Sequence, residues 1–159
     1  MLFVTIFVLG FSFYVEYAYQ LKACPLCLMQ RFCTFLFGFT CMVAMNTRRM
    51  QRAKVISLIQ CGLTLLGLYF AGRHLWLQSL PIEQSAQCIP GVEAMMTFFS
   101  LDMIATAFLW GTTDCSHVDW QWLGMSLPLW SAIYFSVMYA ISLYVAIVMR
   151  RSAKQGSRF

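Results

Sequence analysis

Four stretches of the chain carry no charge and few polar side chains: Met1 to Val15, Phe32 to Thr47, Val55 to Gly72 and Trp120 to Met149. Each is close to or beyond the ~20 residues that a helix needs to cross a bilayer. None alternates apolar and polar positions as the wall of a transmembrane barrel must, so strands are set aside as the spanning element. The pattern predicts an all-α membrane protein, a bundle of four transmembrane helices over about 2–19, 26–45, 55–73 and 129–149. Residues 1–159 then form a single membrane domain with connections at about 20–25, 46–54 and 74–128 and a tail at 150–159. Met1 opens directly on an apolar run, with no basic leader and no small-residue cleavage site before Lys22, so residues 1–19 are read as a span and not as a removable signal peptide.

A fifth stretch, Val92 to Trp110, imitates a span but carries Glu93 and Asp102. An Asp at the centre of an isolated span costs about 2.5–3.5 kcal/mol on insertion scales. This stretch is therefore expected to be a short interfacial helix in the long second loop, opened by Pro90-Gly91. Ser126 and Pro128 fit the cap and first turn of the last helix. Trp120, Trp122 and Trp130 mark its interfacial end.

Composition agrees with this layout: 60% of residues are hydrophobic and 11% charged, which excludes a soluble domain. The net charge of +5 matters less than its distribution. Arg48, Arg49, Arg52 and Lys54 fill the connection after the second run, and Arg150, Arg151, Lys154 and Arg158 fill the tail, whereas Glu83, Glu93, Asp102, Asp114 and Asp119 all lie between the third and fourth runs. By the positive-inside rule both termini and the 46–54 connection are cytoplasmic, and the 20–25 and 74–128 loops lie outside. A fifth span would put the basic tail outside as well.

Seven cysteines divide along the same line. Cys33, Cys41 and Cys61 fall inside apolar runs, where an isolated thiol behaves as a small hydrophobe, and they receive no chemistry. Cys24, Cys27, Cys88 and Cys115 lie outside, which suggests two disulfides. In the chain-entropy view a Cys88 to Cys115 bridge would be worth about 3.6 kcal/mol and a Cys24 to Cys27 bridge about 1.9 kcal/mol. The tighter pair is a poor staple and reads better as a redox pair. If the second helix opens near Leu26, Cys27 sits in its first turn, where the helix dipole favours a thiolate. Arg31, at i+4, places a cation on the same face. His74 follows the third run in an interfacial patch, where it can serve a ligand headgroup or a proton or do neither. Glu16, near the outer end of the first helix, is expected to snorkel to the interface in preference to carrying protons. Gly62, Gly67 and Gly72 offer surfaces for close helix approach.

Other chemistries fit less well. Four thiols invite zinc, but Cys88 and Cys115 lack the close spacing of zinc ligands, so no metal is expected. Leu28, not His, follows Cys27, which excludes covalent haem attachment. No phosphate loop and no basic stripe for nucleic acid is present. A membrane scaffold with one structural disulfide remains as a non-enzymatic alternative.

Residues Cys24-Pro25-Leu26-Cys27-Leu28-Met29-Gln30-Arg31, Cys88-Ile89-Pro90-Gly91-Val92-Glu93, Asp114-Cys115 with Val118-Asp119-Trp120, and Ser126-Leu127-Pro128-Leu129-Trp130, in this order on this topology, resemble the disulfide bond formation protein B family of bacterial inner-membrane quinone reductases. Gln30 departs from the family pattern, in which an acid often precedes the arginine. A vitamin K epoxide reductase-like protein is a nearby alternative, but there the quinone-side pair lies near the last helix.

The resemblance implies a protein-disulfide:quinone oxidoreductase with Cys24, Cys27, Cys88 and Cys115 as its catalytic residues. A periplasmic thioredoxin-fold oxidant of the DsbA type would attack the Cys88 to Cys115 disulfide. Cys115 would then open the Cys24 to Cys27 bond, and Cys27 would pass electrons to a bound quinone, ubiquinone in preference to menaquinone. Arg31 would stabilise the thiolate and the quinone oxygen, with His74 as a second headgroup residue. Coupling to the quinone pool supplies the oxidising drive that a thiol pair facing a strongly oxidising partner lacks.

Overall fold

The computed structural model describes residues 1–20, 24–79, 108, 109, 111, 115 and 121–156. Among them are four helices long and apolar enough to cross a membrane: α1 (Leu2–Tyr19), α2 (Pro25–Met45), α3 (Met50–Ser79) and α4 (Leu127–Gly156). Cys88 and nearly all of the expected interfacial helix over 92–110 lie outside the described residues. A two-residue-per-strand hairpin, β1 (Gln121–Trp122) and β2 (Met125–Ser126), precedes α4 and pairs antiparallel, Gln121 with Ser126 and Trp122 with Met125. Leu123 (φ 55°) and Gly124 (φ 75°) supply the two positive φ angles that a tight hairpin turn requires.

The apolar runs foretold α1 and α2 to within a residue, but α3 and α4 exceed expectation at both ends. Helix α3 starts five residues before Val55 and takes in Arg52 and Lys54, and it continues past Arg73 to Ser79. Charged residues stop a membrane span without stopping a helix, because the backbone stays hydrogen-bonded on either side of the interface. His74 and Gln78 therefore sit on the last turns of a helix and not in a loop. The Ser126 hydroxyl, expected to cap α4, instead donates to Gln78 Oε1 at 3.0 Å and ties the hairpin to the end of α3.

Helix α3 is the centre of the bundle, packed between α2 and α4, while α1 lies against α2. The shared core contains Leu26, Cys33, Phe37 and Cys41 of α2, Phe70 and Ala71 of α3, and Tyr134, Phe135 and Met138 of α4. Some buried hydroxyls bond across helices: Thr5 Oγ1 lies 2.9 Å from the Tyr134 hydroxyl, and Ser57 donates to the Ser142 carbonyl. The outward faces carry Phe3, Phe7, Phe32, Phe35 and Tyr144, as lipid contact requires.

Of the three glycines on α3, only Gly67 mediates a close approach. A Cβ there would fall inside the Phe135 ring, whereas Gly62 and Gly72 face open space. Gly67→Leu is expected to force α3 and α4 apart and cost about 1–3 kcal/mol. Unfolding in mixed micelles, compared with Gly62→Leu as control, checks this.

Candidate functional site

Helix α2 begins at Pro25, with Cys24 in the extended conformation (φ −74°, ψ 160°) as its N-cap. Proline suits this position, since its fixed φ is already helical and its missing N–H had no partner to lose. The Leu28 N–H donates to the Cys24 carbonyl at 3.2 Å, so Cys27 stands in the first turn as the sequence implied. Neither Cys24 nor Cys27 is engaged in a disulfide. Cys24 is buried and Cys27 half-buried.

The end of α3 brings His74 between these two sulfurs. Its Nε2 lies 3.8 Å from Cys24 Sγ and its Nδ1 3.8 Å from Cys27 Sγ. Only 3% of the His74 surface is exposed. The sequence offered this residue a ligand headgroup, a proton or no role; the structure sets it against the two thiols and not among the residues lining the Arg31 cleft. Cys115, fully buried, completes the group: its Sγ, Cys24 Sγ and a His74 ring nitrogen all lie within 4.8 Å of one another. Gly111 (φ +88°) passes so close to Leu26 and Leu77 that a side chain would strike both. A positive φ and a missing Cβ are needed together at that position.

Arg31 lies on the face of α2 that Cys27 occupies, and both line one narrow cleft. Its guanidinium is anchored by α1: it pairs with Glu16, donates through Nε to Ser12 Oγ at 2.9 Å and through an Nη to the Ser12 carbonyl at 3.2 Å, and stands 4.9 Å from the Phe13 ring centroid. Glu16 thus does not snorkel away; it holds the arginine in place. This pair was not legible in the sequence, because the rotation of α1 against α2 decides it.

Gln30 also lines the cleft, with Val8 and Leu9 from α1 and Leu127 and Pro128 from α4. Its side chain is buried, and its Nε2 has no hydrogen-bond partner among the described residues. A donor left so costs about 1–3 kcal/mol unless a ligand accepts from it.

Cys33 and Cys41 are buried among apolar side chains away from this end, and Gln60 Nε2 donates to Cys41 Sγ at 3.4 Å. Cys61 is half-buried on α3. Changing all three to Ala is expected to leave turnover within about threefold of wild type, with some loss of thermal stability from the small cavities at positions 33 and 41.

Four membrane-length helices with two thiols, an imidazole and a third cysteine packed together at one end define a helical membrane protein built around thiol chemistry. A family model described as "Disulfide bond formation protein DsbB" matches residues 1–145. Proteins called "Disulfide bond formation protein B" are similar to the chain: one from Hahella chejuensis is 38% identical over 80% of this chain and 78% of its own length. Another from Stutzerimonas stutzeri is 36% identical over 86% and 84%, and a third from Acinetobacter baumannii 33% identical over 86% and 81%. No solved structure matches. The chain belongs to the DsbB family of disulfide bond formation proteins.

Proposed function

We propose that the protein reoxidises a soluble DsbA-type dithiol oxidant outside the cytoplasmic membrane and delivers the electrons to membrane quinone. The observation that carries this reading is the convergence of Cys115 and Cys24, from distant parts of the chain, at a pair whose other sulfur faces a cleft with a fixed cation.

The electron path follows from thiol–disulfide exchange. A thiolate of the soluble oxidant attacks Cys88 of a Cys88–Cys115 disulfide, forming one S–S bond and releasing Cys115 as thiolate. Its second thiolate then completes its own disulfide and releases Cys88. Cys115 attacks Cys24 of a Cys24–Cys27 disulfide, and Cys27 leaves carrying two electrons. Exchange needs a thiolate that can approach in line and a leaving sulfur of low basicity. Cys27, the leaving sulfur, stands in the first turn of α2 with His74 Nδ1 3.8 Å from it.

The cleft fits a quinone headgroup by the chemistry of its donors. Val8, Leu9, Leu127 and Pro128 offer an apolar wall, while the unpartnered Gln30 Nε2 and the Arg31 guanidinium offer hydrogen bonds to carbonyl oxygens. A bound quinone supplies a two-electron acceptor there. Arg31 orients it and favours negative charge next to Cys27, and Glu16 keeps Arg31 from swinging to solvent. The ubiquinone side of the pool is the expected acceptor.

The connection between α2 and α3, with Asn46, Arg48, Arg49 and Arg52, lies at the end of the bundle opposite the thiols. That separation supports an orientation with this connection and both termini cytoplasmic and the cysteine end periplasmic, in the bacterial inner membrane.

Purified protein given a reduced DsbA-type oxidant and a short-chain ubiquinone is expected to reduce one quinone for each dithiol oxidised to a disulfide, and Cys24→Ser is expected to abolish it. Quinone loss without thiol oxidation, or none at all in wild type, would favour the scaffold.

A further inference from the structure

The three sulfur and nitrogen atoms at the cysteine end have a second use. We propose that in its dithiol state this relay binds a soft divalent metal ion, Zn²⁺ or Cd²⁺, through Cys24 Sγ, Cys115 Sγ and His74 Nε2, and is thereby shut off.

Tetrahedral zinc with Zn–S of about 2.3 Å and Zn–N of about 2.0–2.1 Å sets neighbouring ligand atoms roughly 3.5–3.8 Å apart. The Cys24–His74 edge, at 3.8 Å, already has that length. Cys115, with all three atoms inside 4.8 Å, needs to close by about an ångström at most. All three residues are buried, so water competes poorly for the ion. The other ring nitrogen of His74 is spoken for as well. Nδ1 faces Cys27 Sγ at 3.8 Å, the kind of outer partner that fixes a ligating imidazole in tautomer and orientation. Three protein ligands leave one position for water or an incoming thiolate, the arrangement of open zinc sites.

The sequence argued against a metal because it weighed four cysteines by their spacing; the histidine that completes the set comes from a different helix. Binding is free of redox change: two thiols release two protons to solvent, two sulfur–metal bonds and one nitrogen–metal bond form, and no electron moves. Any disulfide at Cys24 or Cys115 removes a ligand, so only the reduced relay responds. The metal occupies both the nucleophile and its target sulfur, and in this respect the inhibition rests on the proposed relay, whereas the coordination does not.

The test uses the full chain in detergent, reduced and freed of reductant, titrated with Cd²⁺ alone and followed by the ultraviolet thiolate-to-metal charge-transfer band. One equivalent is expected to bind the reduced protein and none the oxidised protein, a comparison that needs no variant. Affinity is expected to fall more than about tenfold in His74→Asn and about a hundredfold in Cys115→Ser. It should fall less in Cys27→Ser, whose hydroxyl can still partner Nδ1, than in Cys115→Ser, and stay within about threefold in the triple Cys33, Cys41, Cys61→Ala variant. Helical circular dichroism of each variant controls for folding. Binding that survives in Cys115→Ser and is lost in Cys27→Ser would overturn the site in favour of the Cys24–Cys27 dithiol; equal binding by oxidised protein would overturn it outright. In a parallel assay, one equivalent of Zn²⁺ is expected to halt quinone-dependent thiol oxidation. Normal metal-free turnover without metal binding sinks this site and leaves the relay standing; metal binding as described without any metal-free turnover does the reverse.

Discussion

Replacing Cys115 with Ala is expected to lower steady-state turnover by more than about a thousandfold, equivalent to about 4 kcal/mol in the barrier, and to leave Cys88 a thiol with no disulfide for the reduced oxidant to attack. The size of the effect follows from the geometry. Cys115 Sγ is within 4.8 Å of Cys24 Sγ, inside a buried cluster that also contains His74, so in the proposed relay it is the sulfur that links the loop to the motif. Without it Cys88 has no disulfide to offer the incoming thiolate, and in the proposed relay no other sulfur of the loop reaches Cys24. Mass spectrometry under acid quench is expected to find no linkage between the soluble oxidant and the variant. Attachment at Cys24 or Cys27, or turnover that survives, would reverse the order of the relay.

Arg31→Ala is expected to raise the apparent KM for quinone by about 10–100-fold while changing the rate of exchange with the soluble oxidant by less than about threefold. That range corresponds to about 1.4–2.7 kcal/mol, the worth of one hydrogen bond to a charged group. The split arises because Arg31 shares a cleft with Cys27 and is held by Glu16, Ser12 and Phe13 of α1, whereas the Cys24–Cys115 contact lies on the His74 side. Glu16→Gln should have the same sign and a smaller size, since Ser12 and Phe13 still position the guanidinium. Stopped-flow exchange and steady-state quinone titration separate the two steps; equal losses in both would remove Arg31 from the proposed quinone site.

These two residues also show where the sequence was informative. Cys27 and Arg31 are one helical turn apart, and local periodicity sufficed to place them on one face of α2. The four apolar runs located the helices because burial in lipid demands an uninterrupted stretch of hydrophobic side chains. Contacts between helices are another matter. Glu16 and Arg31, or His74 and Cys24, meet through the relative rotation and depth of separate helices, which no single helix encodes. Gly67 and Gly62 look alike in sequence and differ only because Phe135 faces one of them. The end of α3 was misjudged for a related reason: hydropathy marks the membrane boundary, and the backbone carried the helix beyond it. Cys88, the remaining cysteine of the sequence reading, lies outside the described residues, and its place in the relay rests on the proposal.

The burial of the thiol cluster has a bearing on selectivity against small reductants. Cys24 is 6% exposed and Cys115 fully buried. A freely diffusing thiol of the surroundings cannot line up with either sulfur for displacement. In the proposed relay the interior couple is thereby insulated like a wire in its sheath, and electrons enter through the terminal that a docking protein can reach, instead of leaking in from the general thiol background.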